Sequence, residues 1–144
     1  MFLNLDKDLL PVYEIAFLPL FEAWIAKVNA LERPFYPLNA VHFGMFEAEA
    51  DDGFVVYWIG TRFWQRELDI WNKWIKEAEY EPHLQQKFLY LPFTMVTDDW
   101  FNPHAMVAQA LKAYVDSEDF AASIFRHAER MTFGFDDGEV YRLK

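Results

Sequence analysis

The chain has no cysteine, five glycines and only two serines, Ser117 and Ser123. Without thiols there is no disulfide framework, no Cys-ligated metal and no dependence on redox compartment. No Gly-x-Ser-x-Gly elbow is present and both serines fall at or near the last expected helix, so covalent catalysis by Ser or Cys is excluded. Five glycines supply neither a phosphate-cradling loop nor a dinucleotide fingerprint, and no cofactor is expected. The four histidines, His42, His83, His104 and His127, stand singly, with none at the i, i+4 spacing of a helical metal pair. No calcium-loop pattern occurs either, so no metal is expected.

Long apolar runs are also missing. The longest stretch free of Asp, Glu, Lys and Arg is Pro34 to Phe46, which contains two prolines, a glycine and a histidine. Spanning a bilayer takes about 20 mostly apolar residues. Asp6, Lys7 and Asp8 break up the amino-terminal stretch, which therefore lacks the basic and apolar regions of a secretory signal; a cytoplasmic protein is expected. Basic residues are scarce, 13 Lys and Arg against 23 Asp and Glu, for a net charge of −10. Such a chain is repelled by nucleic-acid phosphates and by anionic membrane surfaces, so neither is an expected partner.

What the chain has in quantity is aromatic side chains: 15 Phe, 7 Tyr and 6 Trp, or 19% of its 144 residues. A chain of this length forms one domain, here 1–144, and buries roughly two-thirds of its unfolded surface without a metal or disulfide. Leu20, Phe21, Trp24, Ile25, Val28 and Leu31 recur at helical spacing and predict an amphipathic helix over Leu20 to Leu31. Asp8 to Leu18 reads as a buried helix that Pro19 kinks or ends. Val41 to Glu49 and Phe54 to Ile59 flank Asp51, Asp52 and Gly53, a strong hairpin signal because Gly tolerates the positive φ of tight turns. A second strand, Asp-Asp-Gly turn and strand follows, over Met131 to Phe135, Asp136 to Gly138 and Glu139 to Leu143. Helices are expected from Thr61 to Glu79, from Asn102 and Pro103 to Val115, and from Ser117 to Arg130, with a short strand at Lys87 to Leu91. The fold class is α+β: one compact domain with about four helices packed on a small antiparallel sheet built from two hairpins.

Two groups of residues invite a functional reading. On a helix from Thr61 to Glu79, Trp64, Trp71 and Trp74 would share one apolar face with Glu67 projecting from its middle. Such a carboxylate would have its pKa raised by desolvation and could serve as a general acid in an aromatic pocket, or simply be a hydrogen-bonded structural Glu. General acid and base chemistry needs a second placed group, which the sequence does not name, and the chain is read as a non-enzyme.

The other group is acidic. Glu47, Glu49, Asp51 and Asp52 lie in a stretch with no Lys or Arg between Arg33 and Arg62; Asp98 and Asp99 precede Trp100 and Phe101; and Asp136 and Asp137 form the last turn. Exposed acids keep a protein soluble, and acids at helix starts are ordinary capping. Acids beside large loop aromatics also have the make-up of an interface that steers a cationic partner and anchors it. The leading expectation is therefore an acidic protein-binding inhibitor, most concretely a bacterial immunity protein or antitoxin that covers the active site of a basic, nuclease-type toxin. The alternatives are a small-molecule-binding protein or hydrolase with a pocket around Glu67, and a structural or oligomeric subunit. The oligomeric state is open.

Overall fold

A computed structural model describes residues 10–49, 53–92 and 103–144. Among these residues, four helices pack with a five-stranded sheet in one compact α+β domain. Helix α1 (Leu10–Leu31) is followed by a hairpin of β1 (Ala40–Glu47) and β2 (Gly53–Thr61), then by a long irregular segment and the short helix α2 (Leu84–Lys87). Strand β3 (Phe88–Pro92), helices α3 (Pro103–Val115) and α4 (Glu118–Ala121), and strands β4 (Arg130–Phe135) and β5 (Tyr141–Arg142) complete the order.

The strand order is β3-β2-β1-β4-β5. Both expected hairpins form, β1 with β2 and β4 with β5, each antiparallel. The sheet is nevertheless mixed rather than purely antiparallel, because β4 joins β1 in parallel, with Phe43 opposite Phe133 and Gly44 opposite Gly134. Strand β3 extends the other edge by pairing antiparallel with β2.

Alternation along the strands sorts the two faces. Val41, Phe43 and Met45 of β1, Phe54, Val56 and Trp58 of β2, and Met131 and Phe133 of β4 belong to the main core, with Phe17, Phe21 and Trp24 of α1 and Val107 and Leu111 of α3. Polar stitches join the layers. Asn29 donates to the Tyr114 hydroxyl at 3.2 Å and accepts from the Ile124 backbone at 2.8 Å. Buried Glu32 accepts from the Tyr80 hydroxyl at 2.9 Å, and Trp24 donates to the Gln86 carbonyl at 2.9 Å.

Three expected helices differ. Helix α1 continues through Pro19, which lies on its exposed side, instead of beginning or ending there. The helix expected from Ser117 stops at Ala121: Ser117 caps it by accepting from the Phe120 N–H at 3.3 Å, but turns follow and Arg130 already belongs to β4. Over 61–79 there is no α-helix, only 3₁₀ turns at Arg66–Leu68 and Lys73–Ile75. Thr61 ends β2 rather than capping a helix; its hydroxyl donates to Glu79 at 3.0 Å and accepts from the Phe63 N–H, which clamps the base of a loop. Trp71 and Asn72 then take left-handed backbone angles, φ 54° and 55°, which no α-helix accommodates.

Candidate partner-binding surface

The parallel pairing of β1 with β4 has a direct consequence for charge. Parallel neighbours finish at the same end of a sheet, so the turn after β1 and the turn after β4 lie side by side. Asp136 donates its backbone N–H to the Met45 carbonyl at 2.9 Å, and Ala48 donates to the Gly53 carbonyl at 3.0 Å. Glu47, Glu49, Asp136 and Asp137 are all exposed at this end. Strand β3 reaches the same end, since Pro92 pairs with Gly53. No Lys or Arg occurs between Arg33 and Arg62, between Lys87 and Lys112, or between Arg130 and Arg142, so the strands and turns here contribute no compensating base. Asp51, Asp52, Asp98, Asp99, Trp100 and Phe101 lie outside the described residues.

Two glycines allow the acidic turn to sit close. Gly44 and Gly134 are neighbours across the parallel ladder. A Cβ on Gly44 would collide with the Tyr57 ring, and one on Gly134 would collide with the Glu139 carbonyl. Tyr57 therefore lies flat over β1 and donates from its hydroxyl to Asp136 Oδ1 at 2.5 Å. Burial, then the hydrogen bond and the negative charge of Asp136, push the Tyr57 pKa up, so the phenol remains a donor. Beside it, His42 is buried, with Nδ1 2.8 Å from Thr132 Oγ1 and its ring edge-on to Tyr57 at 6.3 Å. Desolvation lowers the His42 pKa to about 4, which keeps the imidazole neutral at pH 7.

The residues expected to form a pocket part company. Trp64 and Trp74 are buried, 4% and 8% exposed, and pack on Ala40. Arg130 covers that cluster with its guanidinium 5.1 Å from the Trp64 ring and 3.2 Å from Asp69. This ion pair is a matter of charge rather than a well-aligned hydrogen bond, because Arg130 Nε has no partner in line. Burial, then Arg142, lowers the Arg130 pKa, with Asp69 opposing. Glu67 is exposed and shares an open groove with Trp64, Arg66, Arg126, Arg142 and Lys144. Trp71 points away, 94% exposed. No group of three or more His, Cys, Asp or Glu able to hold a metal occurs among the described residues. No helix among them is long and apolar enough to cross a membrane.

His104, in the first turn of α3, packs against the rings of Phe133 and Tyr141 at 4.8 and 4.5 Å. Its surroundings are those of a packed side chain, and desolvation lowers its pKa.

Sequence reasoning named His42 only as a lone histidine and did not find Tyr57 or Gly44. One signal was available: the Phe-Gly pairs at Phe43-Gly44 and Phe133-Gly134 become direct neighbours in the parallel register. Comparison with known protein families, with curated proteins and with solved structures found no match.

Proposed function

We propose that the chain is an acidic protein-binding inhibitor, and most concretely an immunity protein or antitoxin of bacterial type that covers the active site of a basic, nuclease-type toxin. The observation that carries this reading is the convergence of Glu47, Glu49, Asp136 and Asp137 at one end of the sheet. A field of one sign raises the encounter rate with a cationic cleft and favours partners of opposite charge. Carboxylates there would take the places that nucleic-acid phosphates take in the toxin's cleft. Tyr57 supports the role by fixing the Asp136 carboxylate before any partner arrives, which lowers the ordering cost of binding.

The test is capture of the native partner on immobilised protein, followed by assay of that partner's nuclease activity with and without the chain. The reading expects a basic protein whose nuclease activity disappears at stoichiometric addition. A captured protein that is acidic, or a nuclease that stays active when bound, would overturn it.

A further inference from the structure

The opposite end of the sheet, where β1 and β4 begin, gathers bases. A groove of about 860 Å³ opens there, lined by side chains from three segments far apart in sequence. Arg66 comes from the first 3₁₀ turn, Arg126 and His127 from the turns after α4, and Arg142 and Lys144 from β5 and the residues that follow it. Backbone pairing holds these segments together. Asn39 accepts from the N–H groups of Glu129 and Arg130 at 2.8 and 3.3 Å, and its side-chain amide donates to the Arg62 carbonyl at 2.9 Å. Met131 and Lys144 exchange backbone bonds at 3.1 and 3.3 Å.

The charge of this end does not cancel. Among the described residues, ion pairs join Lys73 to Glu77, Lys87 to Glu81 and Arg130 to Asp69, and none involves Arg66, Arg126, Arg142 or Lys144. Arg126 donates one N–H to the Ser123 carbonyl at 2.8 Å and Lys144 Nζ lies 5.3 Å from the Phe120 ring centroid, contacts that leave both charges in place. Two acids, Glu67 and Glu129, line the groove with these four bases. Around it, Arg130 is paired with Asp69, Arg62 is offset by Glu79, and Arg33 adds a base to the adjoining groove that it shares with Arg126 and His127. With the α-carboxylate of Lys144 counted among the negative groups, seven bases face five negative groups in a chain whose net charge is −10. The bases are also close enough to repel one another. Burial first, then Arg142 and, more weakly, Arg66 lower the Arg130 pKa, with Asp69 opposing. An anion set among like charges that the fold holds together relieves that repulsion.

We propose that the groove binds a small anion built of linked phosphate groups, a di- or triphosphate. Guanidinium groups fork onto phosphate oxygens. A tetrahedral phosphate offers oxygens on several sides at once, which suits bases arriving from three segments, whereas a planar carboxylate offers one edge. The groove has the volume of a site for one small ligand. Trp64 is 4% exposed and offers no free face for a nucleobase, so recognition falls to the phosphate chain.

Charge also selects a small anion over a long one. The acidic end lies the length of β1 away, eight residues from Ala40 to Glu47 and so roughly 25 Å, about three Debye lengths at physiological ionic strength. A small anion therefore senses the local bases, while a nucleic acid laid along the molecule also meets Glu47, Glu49, Asp136 and Asp137. The assignment stands apart from the acidic-end reading, and either can fail without the other.

Isothermal titration calorimetry of the full chain at physiological ionic strength tests it, with sodium tripolyphosphate, metal-free ATP and citrate as titrants. Tripolyphosphate and ATP share the phosphate chain and are expected to bind within about threefold of each other, with citrate weaker by about tenfold or more. Arg66→Gln with Arg142→Gln should raise the tripolyphosphate dissociation constant about tenfold or more. Lys27→Gln with Lys76→Gln removes the same charge outside the groove and should leave that constant within about twofold. All four positions are exposed. Thermal unfolding checks that the groove variant folds; if it does not, Arg66→Gln with Lys144→Gln takes its place with the same expectation. Tripolyphosphate that fails to bind at millimolar concentration, binding of ATP alone, or citrate as tight as tripolyphosphate would each overturn the proposal. So would an equal loss in the two pairs of variants, which would reduce the effect to net charge.

Discussion

The Tyr57 hydroxyl reaches from β2 across Gly44 of β1 to donate to the Asp136 carboxylate in the turn after β4. One side chain thus ties three strands together at the acidic end, and it depends on the missing Cβ at Gly44. Gly44→Ala is expected to displace the far end of the Tyr57 ring, break its bond to Asp136 and destabilise the fold by about 1 kcal/mol. In a Tyr57→Ala background the same substitution should cost much less, because the colliding atoms are gone. Denaturant unfolding of the two single variants and the double variant measures the coupling; additive costs would show that ring and glycine do not meet.

Acid should weaken the fold through His42. Its pKa is near 4 when folded against 6.5 for the free group, so between those values the unfolded state binds the extra proton. The neutral imidazole's contribution is complete above pH 6.5 and is lost as pH falls toward 4, about 3 kcal/mol over the window. Carboxylates titrate in the same range, so the comparison that isolates His42 is the pH profile of stability in wild type and in His42→Asn. The variant's profile should be flatter between pH 6.5 and 4.

The three tryptophans of the 62–79 segment should separate by their burial. Trp64→Ala and Trp74→Ala each remove a buried ring from the Ala40 cluster and should cost about 3 kcal/mol. Trp71→Ala should change stability by less than about 0.5 kcal/mol, the usual range for exposed positions. Urea titrations of the three variants beside wild type check the contrast.

Glu32 is buried on α1 and accepts hydrogen bonds from the Tyr80 hydroxyl and the His83 N–H at 2.9 and 3.4 Å. Glu32→Ala strands both donors and should destabilise by about 1–3 kcal/mol. Glu32→Gln, which keeps an acceptor, should recover part of the loss. Equal losses in the two variants would show that the carboxylate itself, with both oxygens accepting, is required, because Gln keeps the packing and one acceptor.

Legibility followed locality. Both hairpins form where Asp-Asp-Gly falls, although Gly138 does not take the positive φ on which the turn signal was argued, and the face of α1 was readable from the spacing of Phe21, Trp24, Ile25 and Val28. The β1–β4 pairing was not, since strands far apart in sequence carry no local mark of their register; yet it alone brings the acidic turns of β1 and β4 together. The 61–79 segment misled for a physical reason. Its tryptophans fall at helical spacing, but Trp64 and Trp74 serve as anchors for an irregular loop and Trp71 is turned outward by its left-handed backbone. The acids of the candidate surface were legible as exposed turns, whereas Tyr57, which fixes one of them, reads in the sequence as just another strand aromatic.

The account rests most heavily on the acidic end as the binding surface. The most direct measurement is the association rate of the captured partner with wild type and with a Glu47→Lys, Glu49→Lys, Asp137→Lys variant, over a range of salt concentrations. Asp136 is left in place so that its bond from Tyr57 survives. The account predicts a rate that falls steeply with salt for wild type, and at low salt a rate about tenfold or more slower for the variant, with unchanged unfolding. Equal rates for the two proteins, insensitive to salt, would contradict it.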